Sequence, residues 1–188
     1  SALPDERFHI MPRAMTKIMI EDLVVAFSNA ANRAYQSGAT GVELLVGMGY
    51  LHAQFLSPRT NIRTDLYGGS LANRARFLAE TLVGMRDATD NDFIIGVRIA
   101  GEEYDLDGLT LGDTLGVCML LDHDCLVDYI NVCAAGTHSL IGATNIVPSM
   151  FVEPCPTLPY AEKIRKAVSC PIMTAGRINQ PHQAEYAI

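Results

Sequence analysis

The chain has 188 residues, 49% hydrophobic and 19% charged, with a formal net charge of −7. That composition suits a globular chain with one buried core, and the acidic balance argues against nucleic acid or an anionic membrane as the main partner. No apolar run approaches the ~20 residues that span a bilayer, and SALPDERFHI at the N-terminus is not a signal peptide. Residues 18–37 then carry apolar positions at helical spacing, with Thr16 as the expected N-cap and Gly38 as the C-terminal stop. GVELLVG (41–47) reads as a buried strand, and SLANRARFLAETLVGMRDAT (70–89) as an amphipathic helix capped by Ser70. DFIIGVRIA (92–100) is a second strand, TLGDTLGVCMLLDHD (110–124) a helix, and VDYINVCAA (127–135) a third strand. LPYAEKIRKAVS (158–169) is a helix and PIMTAGRI (171–178) a fourth strand, and a further helix starts after Pro181.

Strand–helix alternation with near-continuous apolar strands predicts an α/β fold with a parallel sheet covered by helices. The strand-to-helix loops are long, roughly twenty residues after the first and third strands. The helix-to-strand loops, such as SGATG and SCP, are short. That asymmetry is the pattern of a (β/α)8 TIM barrel, whose active site is built from the long loops. A full barrel runs to ~250 residues. The expectation is therefore a single incomplete barrel domain over 1–188, with its first and last strands as open edges.

GVELLVGMGYLHAQFLSPRTNIRTDLYGGSLANRARFLAETL resembles the signature region of the old yellow enzyme family, the FMN-dependent NADH:flavin oxidoreductases. DFIIGVRIA resembles that family's fifth strand and PIMTAGRINQP its seventh, so the chain is expected to hold about strands four to seven and to lack strands one to three and eight. The family's usual histidine pair, or His/Asn, is replaced by Leu45 and Met48. This departure moves the resemblance toward a larger multidomain subgroup: the 2,4-dienoyl-CoA reductases and the trimethylamine, histamine and N-methylproline dehydrogenases or demethylases. The resemblance implies an FMN-dependent oxidoreductase exchanging hydride with a small organic molecule such as an enoyl thioester or a methylated amine. It further implies a 4Fe-4S cluster, FAD and NAD(P)H in a longer parent.

Alternation places Ile95, Val97 and Ile99 on one face of their strand and Gly96 and Arg98 on the other, pointing into the barrel. An inward guanidinium needs an anionic partner. The resemblance makes this the reduced flavin; the alternative is an ion pair with Glu43. Gly176 and Arg177, at the mouth of the fourth strand, suit a phosphate grip, which the resemblance assigns to the FMN phosphate, or else an ordinary turn. Tyr50 follows two glycines beyond the first strand and is a candidate proton donor, or a ring packed under the loop. His138, past the third strand, is a second proton carrier or a surface histidine.

Arg59 is read as a partner for an anionic substrate group, or as one of several arginines in loop and helix salt bridges. The other histidines, His9, His52, His123 and His182, have no metal-ligand spacing. Five scattered cysteines (Cys118, Cys125, Cys133, Cys155, Cys170) form no CxxC pair, which suits a reducing, cytoplasmic setting. A flavin-free barrel aldolase would need a strand-end lysine, and none of the expected strands has one. An inactive truncated barrel is the remaining alternative.

Overall fold

The computed structural model describes residues 1–4 and 9–188; for Leu140 only the backbone is described. Residues 5–8 of the N-terminal SALPDERFHI stretch lie outside the described residues. Helix α1 (Lys17–Gln36) starts where the Thr16 hydroxyl accepts from the Met19 N–H at 3.3 Å. It ends at Gly38, whose φ of 85° a side-chain-bearing residue rarely adopts. Strand β1 (Gly41–Leu45) leads through the short helix α2 (Leu51–Leu56) to α3 (Leu71–Asp87), which is capped by Ser70 accepting from Asn73 N–H. Next come β2 (Ile94–Ala100), α4 (Leu111–His123), β3 (Tyr129–Cys133), α5 (Leu140–Ile146), α6 (Leu158–Ala167), β4 (Ile172–Thr174) and α7 (Pro181–Ala187). Thr110 and Asp113 close a reciprocal capping box at the start of α4.

The four strands form one parallel sheet in the order β1-β2-β3-β4, each joined to the next by helices. The helix-facing side carries Leu44, Ile95, Val97, Ile99, Ile130 and Val132, all buried. They pack with Leu78 and Leu82 of α3, Val117 and Leu121 of α4, and Ile164 of α6 in one core. Each such fully buried side chain contributes about 2–3 kcal/mol of transfer free energy. A second cluster, Ile20, Phe55, Tyr67 and Phe77, fixes α1 and the α2 loop against α3. The two exposed sheet edges are β1 and β4.

Two elements differ from the sequence reading. The long loops after β1 and β3 contain α2 and α5, of six and seven residues, too short to show a helical period. The fourth strand stops at Thr174 rather than running to 178, because Gly176 (φ 139°) and Arg177 (φ 50°) leave the extended region.

Candidate functional site

The sheet face away from the helices is polar at its centre. Register places Glu43 beside Gly96 and Gly96 beside Tyr129, and one step further up Leu45, Arg98, Asn131 and Met173 in a row. Gly96 is required here: a Cβ would fall 2.1 Å from the Tyr129 ring, which crosses it to reach Glu43. The Glu43 carboxylate accepts from the Tyr129 hydroxyl at 3.1 Å and from Asn131 Nδ2 at 2.9 Å. It forms no ion pair with Arg98 among the described residues. The Arg98 Nε is buried and has no hydrogen-bond partner among them. Its neighbour is the Cys133 thiol; burial pushes that thiol's pKa up, and the guanidinium opposes the shift in part.

Above Arg98 the strand ends are small. A Cβ on Gly47 would lie 2.9 Å from Cys133 Sγ and 3.0 Å from the Ala100 N. Three rows are thus stacked toward the mouth: Glu43–Gly96–Tyr129, then Leu45–Arg98–Asn131, then Gly47–Ala100–Cys133.

The turn after β1 is made by two left-handed residues, Met48 (φ 61°) and Gly49 (φ 77°). A non-glycine residue in that region stores about 1–2 kcal/mol. The turn delivers Tyr50 as the residue preceding α2, 48% exposed, with its hydroxyl bound to no described residue. The loop after β3 meets the same turn. A Cβ on Gly49 would sit 3.0 Å from His138 Nε2 and 2.6 Å from Thr137 Oγ1, and that buried His138 nitrogen has no hydrogen-bond partner. The structure therefore brings the Tyr50 turn and His138 together.

The other sequence candidates are engaged elsewhere. Arg59 donates to Asp105 at 3.1 Å and keeps a third of its side chain exposed. Arg177 donates to the carbonyls of Ser149 and Val152, while the turn at Gly176 packs on Thr157, whose hydroxyl donates to the Ala175 carbonyl at 2.9 Å. Arg74 is buried and ties the Leu56 and Gly69 carbonyls to Asp113. His52 is likewise buried, stacked on Phe77 at 4.6 Å, and its Nε2 bonds to the Thr81 hydroxyl at 3.2 Å. Burial lowers its pKa to about 4.

Sequence reasoning missed Tyr129, Asn131 and Cys133, although alternation from Arg98 would have put them on the inward face. It also missed Glu103, 1% exposed in the loop after β2. Among the described residues no group of three or more His, Cys, Asp or Glu could hold a metal ion, and no helix is long and apolar enough to cross a membrane.

This is an α/β chain with a parallel sheet whose strand ends meet a loop-built mouth. It belongs to the NADH:flavin oxidoreductase / NADH oxidase family, whose pattern matches residues 3–188. It is 37% identical over 158 residues to an N,N-dimethylglycine/sarcosine dehydrogenase of Chromohalobacter salexigens, covering 84% of this chain and 23% of that protein. It is 36% identical over 179 residues to a multifunctional alkene reductase/demethylase of Caballeronia cordobensis, covering 95% of this chain and 26% of that one. Among solved structures, 2-naphthoyl-CoA reductase in complex with 2-naphthoyl-CoA superposes with a TM-score of 0.92 at 32% identity, over 100% of this chain and 28% of that one. Histamine dehydrogenase from Rhizobium sp. 4-9 gives 0.81 at 27% identity, over 95% and 25%. The chain thus spans about a quarter of the length of these relatives.

Proposed function

We propose that the chain is the part of a TIM barrel, about strands four to seven, that holds FMN in an FMN-dependent oxidoreductase. The observation that carries this reading is Arg98, an inward guanidinium whose Nε has no partner among the described residues, while the carboxylate on the same sheet face, Glu43, is engaged by Tyr129 and Asn131. A buried donor left unmatched costs about 1–3 kcal/mol, so it calls for an acceptor that this sheet does not supply. FMN would offer the acceptor that this nitrogen lacks, and the strand ends above Arg98, at Gly47, Ala100 and Cys133, are small and closely packed. When bound, FMN supplies two-electron hydride chemistry.

Arg98 sets a fixed positive charge where negative charge develops on the reduced ring. The turn at Gly176 and Arg177 receives the phosphate. There the guanidinium, held by the Ser149 and Val152 carbonyls, adds its field to backbone that approaches without a Cβ at Gly176. Tyr50 and His138 deliver or accept the proton that accompanies hydride transfer to an organic substrate. Arg59, oriented by Asp105, faces an anionic group of that substrate.

Within this reading we favour reduction of an enoyl or related thioester. Two proton carriers at one turn suit protonation of a carbon next to an activating carbonyl. The similarity of the whole of this chain to part of 2-naphthoyl-CoA reductase supports the same direction. Oxidation of a methylated amine is the second reading, supported by the likeness to an N,N-dimethylglycine/sarcosine dehydrogenase. In a longer parent, a 4Fe-4S cluster, FAD and NAD(P)H would supply or receive the electrons.

The test is to add FMN to the full-length protein, record the visible spectrum, and then, anaerobically, mix the dithionite-reduced protein with an enoyl thioester and the oxidised protein with a methylated amine. The reading predicts a perturbed flavin spectrum, and reoxidation of the reduced flavin by the thioester. Flavin reduction by the amine would select the second reading, and an unperturbed spectrum would reject both.

A further inference from the structure

Glu103 is a buried carboxylate with one satisfied oxygen and one unsatisfied. Its Oε2 accepts from the Ser57 hydroxyl at 2.6 Å and from the Leu109 N–H at 2.7 Å. Its Oε1 is buried and has no partner among the described residues, although the whole residue is only 1% exposed. A half-satisfied buried carboxylate is expensive, so it points to a donor. His138, in the loop after β3, also has a buried Nε2 with no partner among the described residues. Both side chains border Gly136, where a Cβ would lie 3.6 Å from Glu103 Cγ and 3.7 Å from His138 Cδ2. The adjacent ring atom, Nε2, faces Gly49, next to Tyr50.

The surroundings limit the choice of partner. The loop after β2 brings Glu103, then Glu102 and Tyr104, which the Tyr160 hydroxyl engages, and Asp105, which pairs with Arg59 through Oδ1 and has a second buried oxygen, Oδ2, without a partner among the described residues. The turn after β1 brings only the phenol of Tyr50, and α5 (LIGATNI) carries no charged residue.

We propose that Glu103 is a positioning residue for His138: the free carboxylate oxygen and the imidazole close on each other through one water in the cleft beside Gly136, forming a carboxylate–imidazole pair that orients the ring toward the Tyr50 turn. The anchors on Oε2 fix the carboxylate, so the oxygen left over serves His138. This pair goes beyond the assignment of His138 as a proton carrier and rests on it.

The test is hydrogen–deuterium exchange at the His138 imidazole Cε1, followed against pH by mass spectrometry of its peptide in the full-length protein. It needs neither substrate nor flavin, so its outcome is independent of whether FMN binds. Glu103→Gln removes the carboxylate's charge and keeps its size. It is expected to displace the exchange profile to lower pH by on the order of one pH unit. Gly136→Ala, whose methyl makes only ordinary van der Waals contacts, fills the cleft and is expected to displace the profile in the same direction. An unmoved profile in either folded variant overturns the pairing. If Glu103→Gln does not fold, Gly136→Ala decides alone.

Discussion

His52 provides a pH-dependent test of the packing that supports the β1 turn. It is 2% exposed, between Phe27 at 4.9 Å and Phe77 at 4.6 Å. The Thr81 hydroxyl donates to the Phe77 carbonyl at 2.8 Å, so the same hydroxyl oxygen accepts from a protonated Nε2 of His52. A charged ring in that aromatic slot loses hydration with no anion in exchange, and desolvation lowers the His52 pKa to about 4. The unfolded chain titrates near 6.5. Above that pH both states are neutral and the stability is fully present. As pH falls toward 4 the unfolded state takes up a proton that the native state refuses.

The stability lost is about 1.4 kcal/mol per pH unit, or about 3 kcal/mol in all, of which about 2 kcal/mol goes between pH 6.5 and 5. Asp65 and Asp122 are held below the usual carboxylate range, the first by the Arg63 side chain and the second by the Ser169 and Cys170 N–H groups. Their contributions are lost only at lower pH, which leaves the 5–6.5 window to His52. Denaturant unfolding measured across that window should show the fall in the native chain. In His52→Gln, which keeps a donor for Thr81 without titrating, the fall should be absent. Equal slopes in the two proteins would refute the buried, neutral assignment.

Arg74→Ala should destabilise by about 3 kcal/mol in the same unfolding assay, because it leaves Asp113 and two inward carbonyls without their donor. Gly96→Ala should cost about 1–3 kcal/mol, since its Cβ meets the Tyr129 ring. It should also shift tyrosine absorbance as that ring leaves Glu43. In thiol titration of the native chain, exposed Cys125 should react. Cys118, whose burial pushes its thiol pKa up to about 12, should react only after unfolding.

Much of the architecture was readable because it follows from periodicity and caps. Alternation through 95–99 put Arg98 on the inward face, and Thr16, Gly38 and Ser70 marked helix ends by their own chemistry. The short helices α2 and α5 were not readable, since six or seven residues hold too few turns to show a period. The end of β4 was placed too late because Gly176 marks a turn without saying where pairing stops, and Arg177 enters a left-handed conformation that an arginine rarely adopts. At the site, position past a strand end singled out Tyr50 and His138 one at a time. Only the tertiary approach of the β3 loop to Gly49 brings them together. Glu103 is one acid among several in GEEYDLDG. Its burial depends on Ser57 and Leu109, which the chain brings to it from different loop positions.

Arg98 is proposed to stabilise the reduced form of an FMN held at these strand ends, and the whole functional reading depends on that role. It is tested most directly by the two-electron potential of FMN bound to the full-length protein, compared with Arg98→Ala. The account predicts a more negative potential in the variant, by on the order of 30 mV or more, with the oxidised flavin still bound. An unchanged potential with FMN bound equally well in both proteins would contradict it.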